Sequence, residues 1–253
     1  MSDFQDKCAI ITGASRGIGA ATALDLAKRG VNVVLAARSV NQTQALAEQI
    51  KSDGGKALAL VCDVSRYSNL ETTVDAAIKE FGRVDILVNN AGTVDPIARL
   101  ADSDPALWGQ VVDINLKGVY HGIRAVLPVM EKQGSGIIIN LSSGAATNAL
   151  EGWSHYCSTK AAVLSLTKCV HKEYAERGIR CIGLSPGTVA TDMQVSIKKS
   201  GINPVSQMEF SQHIAPDWPA RAVAFLCTDA AAEFSGTDFS IKTEEGRKLV
   251  GLI

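Results

Sequence analysis

Residues 156–160 read YCSTK, a tyrosine and a lysine four positions apart with three small residues between them. On a helix, side chains at i and i+4 share a face, so Tyr156 and Lys160 would meet there. A free tyrosine ionises near about 10 and a free lysine near about 10.4, so neither performs acid–base work at neutral pH unaided. An ammonium beside a phenol favours the phenolate, and the pair could then take or give a proton near neutrality. The stretch LSSG at 141–144 adds two hydroxyls upstream, Ser142 and Ser143, either of which could steady an oxygen on which charge develops.

A second constellation lies near the start of the chain. TGASRGIG (12–19) follows the apolar run CAIIT and opens the helical stretch GAATALDLAKRG. Gly13, Gly17 and Gly19 permit a tight turn and a close backbone approach, and the helix start offers unpaired N–H groups to a pyrophosphate. The strand VNVVLAARS then ends in Arg38, without the acidic residue that would bind a ribose 2′-hydroxyl. Arg16, inside the glycine loop, is a second guanidinium for a 2′-phosphate, which arginine grips bidentately. These residues point to NADP(H), with NAD(H) as the alternative. Taken singly, each arginine also reads as a solvated loop residue.

The motifs TGASRGIG, CDV (62–64), NNAG (89–92), DINLKG around Asn115, LSSG, YCSTK and SPGTVATDM (185–193) stand together in one order over residues 7–193. In that order and spacing the chain resembles the short-chain dehydrogenase/reductase family, most closely its 3-oxoacyl-[acyl-carrier-protein] reductase-like members. The resemblance implies hydride transfer between a nicotinamide and a carbonyl carbon, with Tyr156 as proton donor or acceptor, Lys160 as cofactor anchor and no metal. It implies that the serine thirteen positions before Tyr156, Ser143, is the catalytic one, and that Asn115 is the fourth catalytic residue, bending a helix and holding a water towards Lys160. It places Ser15, Arg16, Ile18 and the three glycines on the phosphates, and Asp63 and Val64 at the adenine. Asn89, Ala91 and Gly92 fall where the fourth strand ends, and Pro186, Gly187, Val189 and Thr191 at the nicotinamide. Without their neighbours, NNAG reads equally as a polar turn and Asp63 as a helix cap.

Thr93, Ala145, Trp153 and Met193 are the candidate substrate contacts. They are mostly apolar, which suits an uncharged ketone or alcohol, including a 3-oxoacyl thioester. An acidic carrier protein would call for a basic patch, for which Lys198 and Lys199 are candidates. The competing enzyme reading is an NAD-linked dehydrogenase of a sugar, polyol or cyclic alcohol. A non-catalytic dinucleotide-sensing regulator would be expected to have lost Asn115, Ser143, Tyr156 or Lys160, and all four are present. The resemblance weakens at the end, GTDFSIKTEEGRKLVGLI (236–253), where family members carry paired glycines near the substrate pocket and this chain has a charged KTEEGRK stretch.

Positioning these residues requires a scaffold. Six short apolar runs alternate with helical patterns, and near-continuous apolar strands indicate a parallel sheet buried on both faces. The expected architecture is α/β, a single Rossmann-type doubly wound domain over residues 1–253, with a substrate lid at about 192–220 where Pro204, Pro216 and Pro219 interrupt the pattern. Long helices are expected at 104–132, bent near Gly118, and at 154–177. The 253 residues are 46% hydrophobic with a net charge of −1, so no global field draws the chain to nucleic acid or membrane. MSDFQDKCAIITG lacks the pattern of a signal peptide, and six scattered cysteines without CxxC pairing suit reduced thiols, so the expected setting is the cytoplasm. A homodimer or homotetramer is expected from the resemblance.

Overall fold

A computed structural model describes residues 4–253, leaving residues 1–3 of the expected domain outside the described part. Seven strands form one parallel sheet: β1 (Cys8–Thr12), β2 (Asn32–Ala37), β3 (Ala57–Val61), β4 (Ile86–Asn89), β5 (Gly136–Leu141), β6 (Ile179–Ser185) and β7 (Asp238–Ser240). Their spatial order is β3-β2-β1-β4-β5-β6-β7. The chain winds outward from β1 to β3, then returns to β1's other side with β4. That reversal opens a crevice at the carboxyl ends of β1 and β4, where such sheets take ligands.

Strand alternation makes two apolar layers out of runs that look uniform in sequence. In β5, Ile137 and Ile139 join the layer containing Ile11, Leu26, Leu35 and Val223, while Ile138 joins Ile10, Val34, Leu70 and Met130 on the other face. The first layer is covered by α1 (Gly17–Lys28), α2 (Val40–Ser52) and α8 (Asp217–Leu226). The second is covered by α3 (Tyr67–Phe81), α5 (Gly118–Gln133) and α6 (Ser154–Tyr174), each contributing buried apolar residues.

The helix expected at 104–132 is α4 (Pro105–Val112), a π-helical segment (Asp113–Lys117) and α5 in succession. Asp104 caps α4, accepting from the N–H groups of Ala106 and Leu107. The π turn displaces one residue from the helical register, a distortion frequent at functional sites. The glycine after it is required because a Cβ on Gly118 would lie 2.7 Å from Val64 Cγ2.

The expectation of irregular structure at 192–220 needs correction. The stretch 192–220 contains a regular helix, α7 (Asp192–Ser200), two short 3-10 turns and the start of α8. Its prolines fit this pattern, since Pro204 opens a 3-10 turn and Pro219 lies in the first turn of α8, where no intrahelical N–H partner is needed. The charged KTEEGRK stretch is α9 (Glu244–Val250), a local solution in itself. Thr243 caps it, Glu244 and Glu245 sit in its first turn, Lys248 pairs with Glu244, and Gly251 ends it in the left-handed conformation. Among the described residues no helix is long and apolar enough to cross a membrane, and no group of three or more His, Cys, Asp or Glu converges as a metal site.

Candidate active site

One cleft of about 1290 Å³ runs over the carboxyl ends of the strands, and both constellations line it. At one end is the turn between β1 and α1, where Gly13 and Gly17 adopt positive φ (64° and 56°). Gly19 lies one turn into α1, off the cleft surface, and a Cβ there would meet Gly13 O at 2.4 Å. Its role is to let the helix start press against the loop. This cradle fits a dinucleotide pyrophosphate.

The β4 end of the cleft is built differently from the expectation. Asn89 does not line it. The residue is 3% exposed, registered opposite Asn140 on β5, and its Nδ2 donates to Asn140 Oδ1 at 2.9 Å. The lining residue is its neighbour Asn90, whose Nδ2 donates to Thr12 O at 2.9 Å and Gly13 O at 3.1 Å. Thr12 Oγ1 in turn accepts from the N–H groups of Asn90 and Ala91. The sequence shows two adjacent asparagines, and only the pleat decides which one faces the sheet neighbour and which one the ligand.

At the adenosine end, Arg38 and Asp63 both line the cleft. Burial pushes the Asp63 carboxyl up, but hydrogen bonds from Ser65 and the guanidiniums of Arg38 and Arg66 outweigh it, so the group lies below the usual value. Arg16 also lines the cleft, with its guanidinium 2.6 Å from Asp192 Oδ2 at the start of α7. The ion pair is exposed on both sides and ties the glycine loop to the 192–220 segment.

At the other end, Tyr156, Lys160, Ser143 and Trp153 converge. Tyr156 and Lys160 sit one turn apart near the start of α6, both buried. Lys160 Nζ donates to Leu141 O at 2.5 Å and stands 5.5 Å from the centroid of the Tyr156 ring. Burial pushes the Tyr156 phenol up to about 12, partly opposed by the Ser143 hydroxyl. This corrects the expectation that Lys160 pulls the phenol down: desolvation dominates, and the ammonium is held by a backbone carbonyl. Lys160 is itself lowered to about 8 by burial, with the Asp238 carboxylate opposing the fall.

Asp238 is a residue that sequence reasoning missed. It stands on β7, paired with Gly183 of β6, and its Oδ2 accepts from Ser142 Oγ at 3.2 Å and Ser185 Oγ at 2.8 Å. Burial raises its carboxyl, against hydrogen bonds from Ser185 and Ser142 and the charge of Lys160. The two adjacent serines are therefore sorted by geometry: Ser142 donates to Asp238, while Ser143 Oγ accepts from Ala145 N–H and lines the cleft with Tyr156.

Asn115 lies behind the cleft, 1% exposed, on the π segment. Its Oδ1 accepts from Thr93 N at 2.9 Å and its Nδ2 donates to Thr93 O at 2.8 Å. This double bond pattern fixes the backbone of Thr93, which does line the cleft, and a third contact reaches Thr159 rather than Lys160. His155 faces away from the cleft, its Nε2 donating to Pro96 O and its Nδ1 accepting from Tyr156 N.

The substrate end is apolar, with Val94, Ala145, Trp153 and Ile197 buried around Tyr156 and Met193 packed against them. Trp153 meets the Tyr156 ring edge-on at 5.5 Å, and its Nε1 is buried without a partner. Lys198 is paired with Glu209, which removes it from a free basic patch. Two cations that were not foreseen, Lys242 and Arg247, also line the cleft. Of all the expected site residues, only Gly19, Asn89 and Asn115 stand off its surface; the others line it, including Ser15, Ile18, Val64, Gly92, Pro186, Gly187, Val189 and Thr191.

Comparison with known proteins agrees with this arrangement. The chain is 37% identical over 245 residues to a 3-oxoacyl-[acyl-carrier-protein] reductase of Synechocystis sp., covering 95% of this chain and 97% of that one. Among solved structures, a 3-ketoacyl-(acyl-carrier-protein) reductase from Brucella melitensis complexed with NADH superposes with a TM-score of 0.84 at 30% identity, covering 94% of this chain and 98% of that one. Levodione reductase superposes with a TM-score of 0.88, also at 30% identity, covering 97% and 98%. The family model described as short chain dehydrogenase matches residues 7–201. With its parallel seven-stranded sheet and its glycine loop and Tyr156–Lys160 pair on one cleft, this chain belongs to the short-chain dehydrogenase family of oxidoreductases.

Proposed function

We propose that the chain is an NADP(H)-dependent reductase, interconverting a ketone or aldehyde and an alcohol within one catalytic domain over residues 1–253. The observation that carries this reading is the convergence of Tyr156, Lys160 and Ser143 at the apolar end of a cleft whose other end is a dinucleotide cradle. A protonated phenol is the form that donates to a carbonyl oxygen as it gains charge. A bound nicotinamide supplies the hydride. Ser143 bonds the same oxygen and stabilises its charge. Lys160 holds the ribose hydroxyls and, once protonated, supports the phenolate left on Tyr156. Asn115 acts as a positioning residue by fixing Thr93, and the 192–220 segment covers the substrate through Met193 and Ile197. The named relatives make 3-oxoacyl thioesters or related ketones the first substrates to try.

The cofactor preference rests on Arg38, which lines the cleft at the end of β2 with no carboxylate in the place of a 2′-hydroxyl ligand. The alternative is an NAD-linked dehydrogenase of a sugar, polyol or cyclic alcohol, and one observation favours it: Arg16 is already paired with Asp192. A screen of ketones and alcohols with both cofactors, read by nicotinamide absorbance, should show ketone-dependent oxidation of NADPH. Absence of turnover with every carbonyl would overturn the reading.

The proposal includes a homodimer or homotetramer formed through the long helices, supported by the exposed Leu107 on α4 and Tyr120 on α5. A cytoplasmic setting is supported by six free cysteines, of which Cys8, Cys181 and Cys227 have thiols pushed up to about 12 by burial.

The pH dependence should expose Asp238. Reduction requires Lys160 charged, so its rate should fall as pH rises through about 8. The Asp238 carboxylate favours the charged lysine, so Asp238→Asn should let Lys160 lose its proton earlier and move that fall to lower pH. The amide can still bond Ser142 and Ser185. The pH profile of kcat for the two proteins checks this, and coincident profiles would dismiss the coupling.

A further inference from the structure

The cleft contains one charge that neither a dinucleotide cradle nor a proton relay requires. Lys242 follows β7, at the start of the charged KTEEGRK stretch. Its backbone is tightly held. Lys242 N donates to Ser240 Oγ at 3.2 Å, Thr243 Oγ1 donates to Ser240 O at 3.1 Å while capping α9, and Arg247 Nε donates to Ile241 O at 2.9 Å. Arg247 also lies 5.3 Å over the ring of Trp218, which occupies its guanidinium. A fixed turn therefore aims the lysine stem across the cleft.

That stem crosses Gly187: a Cβ on this glycine, which has φ 83°, would lie 3.0 Å from Lys242 Cγ. The ammonium arrives beside Gly144, where an added Cβ would stand 3.6 Å from Lys242 Nζ. Gly144 directly follows Ser143, so a positive charge stands beside the residue next in the chain to the serine proposed to bond the reacting oxygen. Among the described residues the ammonium has no salt bridge or hydrogen bond, and the residue is exposed. The surroundings on the substrate side are the apolar cluster of Ala145, Trp153, Met193 and Ile197. An uncompensated cation at the edge of an apolar pocket is a recognition element for an anion on an otherwise apolar molecule.

We propose that Lys242 selects carbonyl substrates that carry a carboxylate near the reacting carbon, with the apolar remainder of the molecule lying against Trp153 and Met193. This deepens the reading of the cleft as a ketone reductase and rests on it. It also replaces the expectation that the pocket prefers an uncharged ketone.

The test compares matched pairs, a medium-chain 3-oxo acid and its methyl ester, on the full-length protein with NADPH. The acid is expected to show a KM about tenfold below the ester's, with a difference that shrinks at high salt. Lys242→Met should bring the acid-to-ester ratio near one, and Lys242→Arg should restore most of it. Binding is read independently by quenching of NADPH fluorescence with the 3-hydroxy acid and its ester, so the preference is measured even where turnover is slow. Equal KM and Kd for acid and ester in the unmodified protein would overturn the proposal while leaving the reductase reading intact. A Lys242→Met effect confined to the affinity for NADPH would overturn it too, by assigning the lysine to the cofactor. Failure of every ketone to turn over, with the acid still bound preferentially, would count against the reductase reading and not against Lys242.

Discussion

Tyr156→Phe is expected to lower ketone reduction by about three orders of magnitude while changing the affinity for NADPH by no more than a few-fold. General acid catalysis by a positioned side chain contributes about 10²–10⁴ in rate, and the phenol is the group placed to give the proton. Phenylalanine keeps the ring, so the edge-on contact with Trp153 and the packing against Val94, Ala145 and Ile197 survive. It also relieves the burial of a hydroxyl whose ionised form is strongly disfavoured there. The fold should therefore be as stable as before, and a melting curve on the same sample separates loss of chemistry from loss of structure. NADPH binding is read by fluorescence titration, and the rate by nicotinamide absorbance. Turnover within tenfold of the unmodified protein would remove Tyr156 as the proton donor. Because the phenol lies far above neutrality, its ionisation should not appear as a limb in reduction between pH 6 and 9; the limb seen there belongs to Lys160.

The second large effect concerns the cofactor. Arg38→Asp should reduce kcat/KM for NADPH by about 10²–10³ and leave or improve that for NADH. Hydrogen bonds to a charged group contribute about 1.5–3 kcal/mol each, and the aspartate adds repulsion against a 2′-phosphate while offering an acceptor to a 2′-hydroxyl. Arg38 is the better placed of the two arginines for this role. It is exposed at the cleft edge, and its charge already acts on Asp63, the residue expected at the adenine. Arg16 must first leave Asp192, so Arg16→Ala should cost NADPH less than the change at Arg38. Measuring both cofactors with both variants settles the ranking. If the unmodified protein uses NADH as well as NADPH, the preference drawn from these arginines is wrong.

Much of the site was legible because its parts are local. The spacing of Tyr156 and Lys160 needs only a helix to place them on one face, and the thirteen residues back to Ser143 reach the adjacent strand end. The glycine loop follows the same logic, since a strand, a turn and a helix start are contiguous in the chain. What misled was the environment of these groups. The phenol's state depends on how completely α6 is buried against the sheet, which outweighs the lysine one turn away. The 192–220 segment looked irregular because its prolines and polar residues hid α7, a helix that presents Gln194 and Ile197 to the interior.

The residues themselves determined the strands, the glycine cradle, the tyrosine–lysine pair and the absence of a carboxylate at the end of β2. Each is a statement about neighbours within about twenty positions, where helix and strand periodicity rule. The tertiary structure alone decided that Asn90 rather than Asn89 faces the cleft, because the register of β4 against β5 commits Asn89 to Asn140. It alone brought Asp238 and Lys242 to the active site. The parallel pairing of β7 with β6 carries them across some fifty to a hundred positions of chain to the serines and glycines at the ends of β5 and β6. No periodicity encodes such a contact, because it arises only when distant segments close their backbone hydrogen bonds in one sheet.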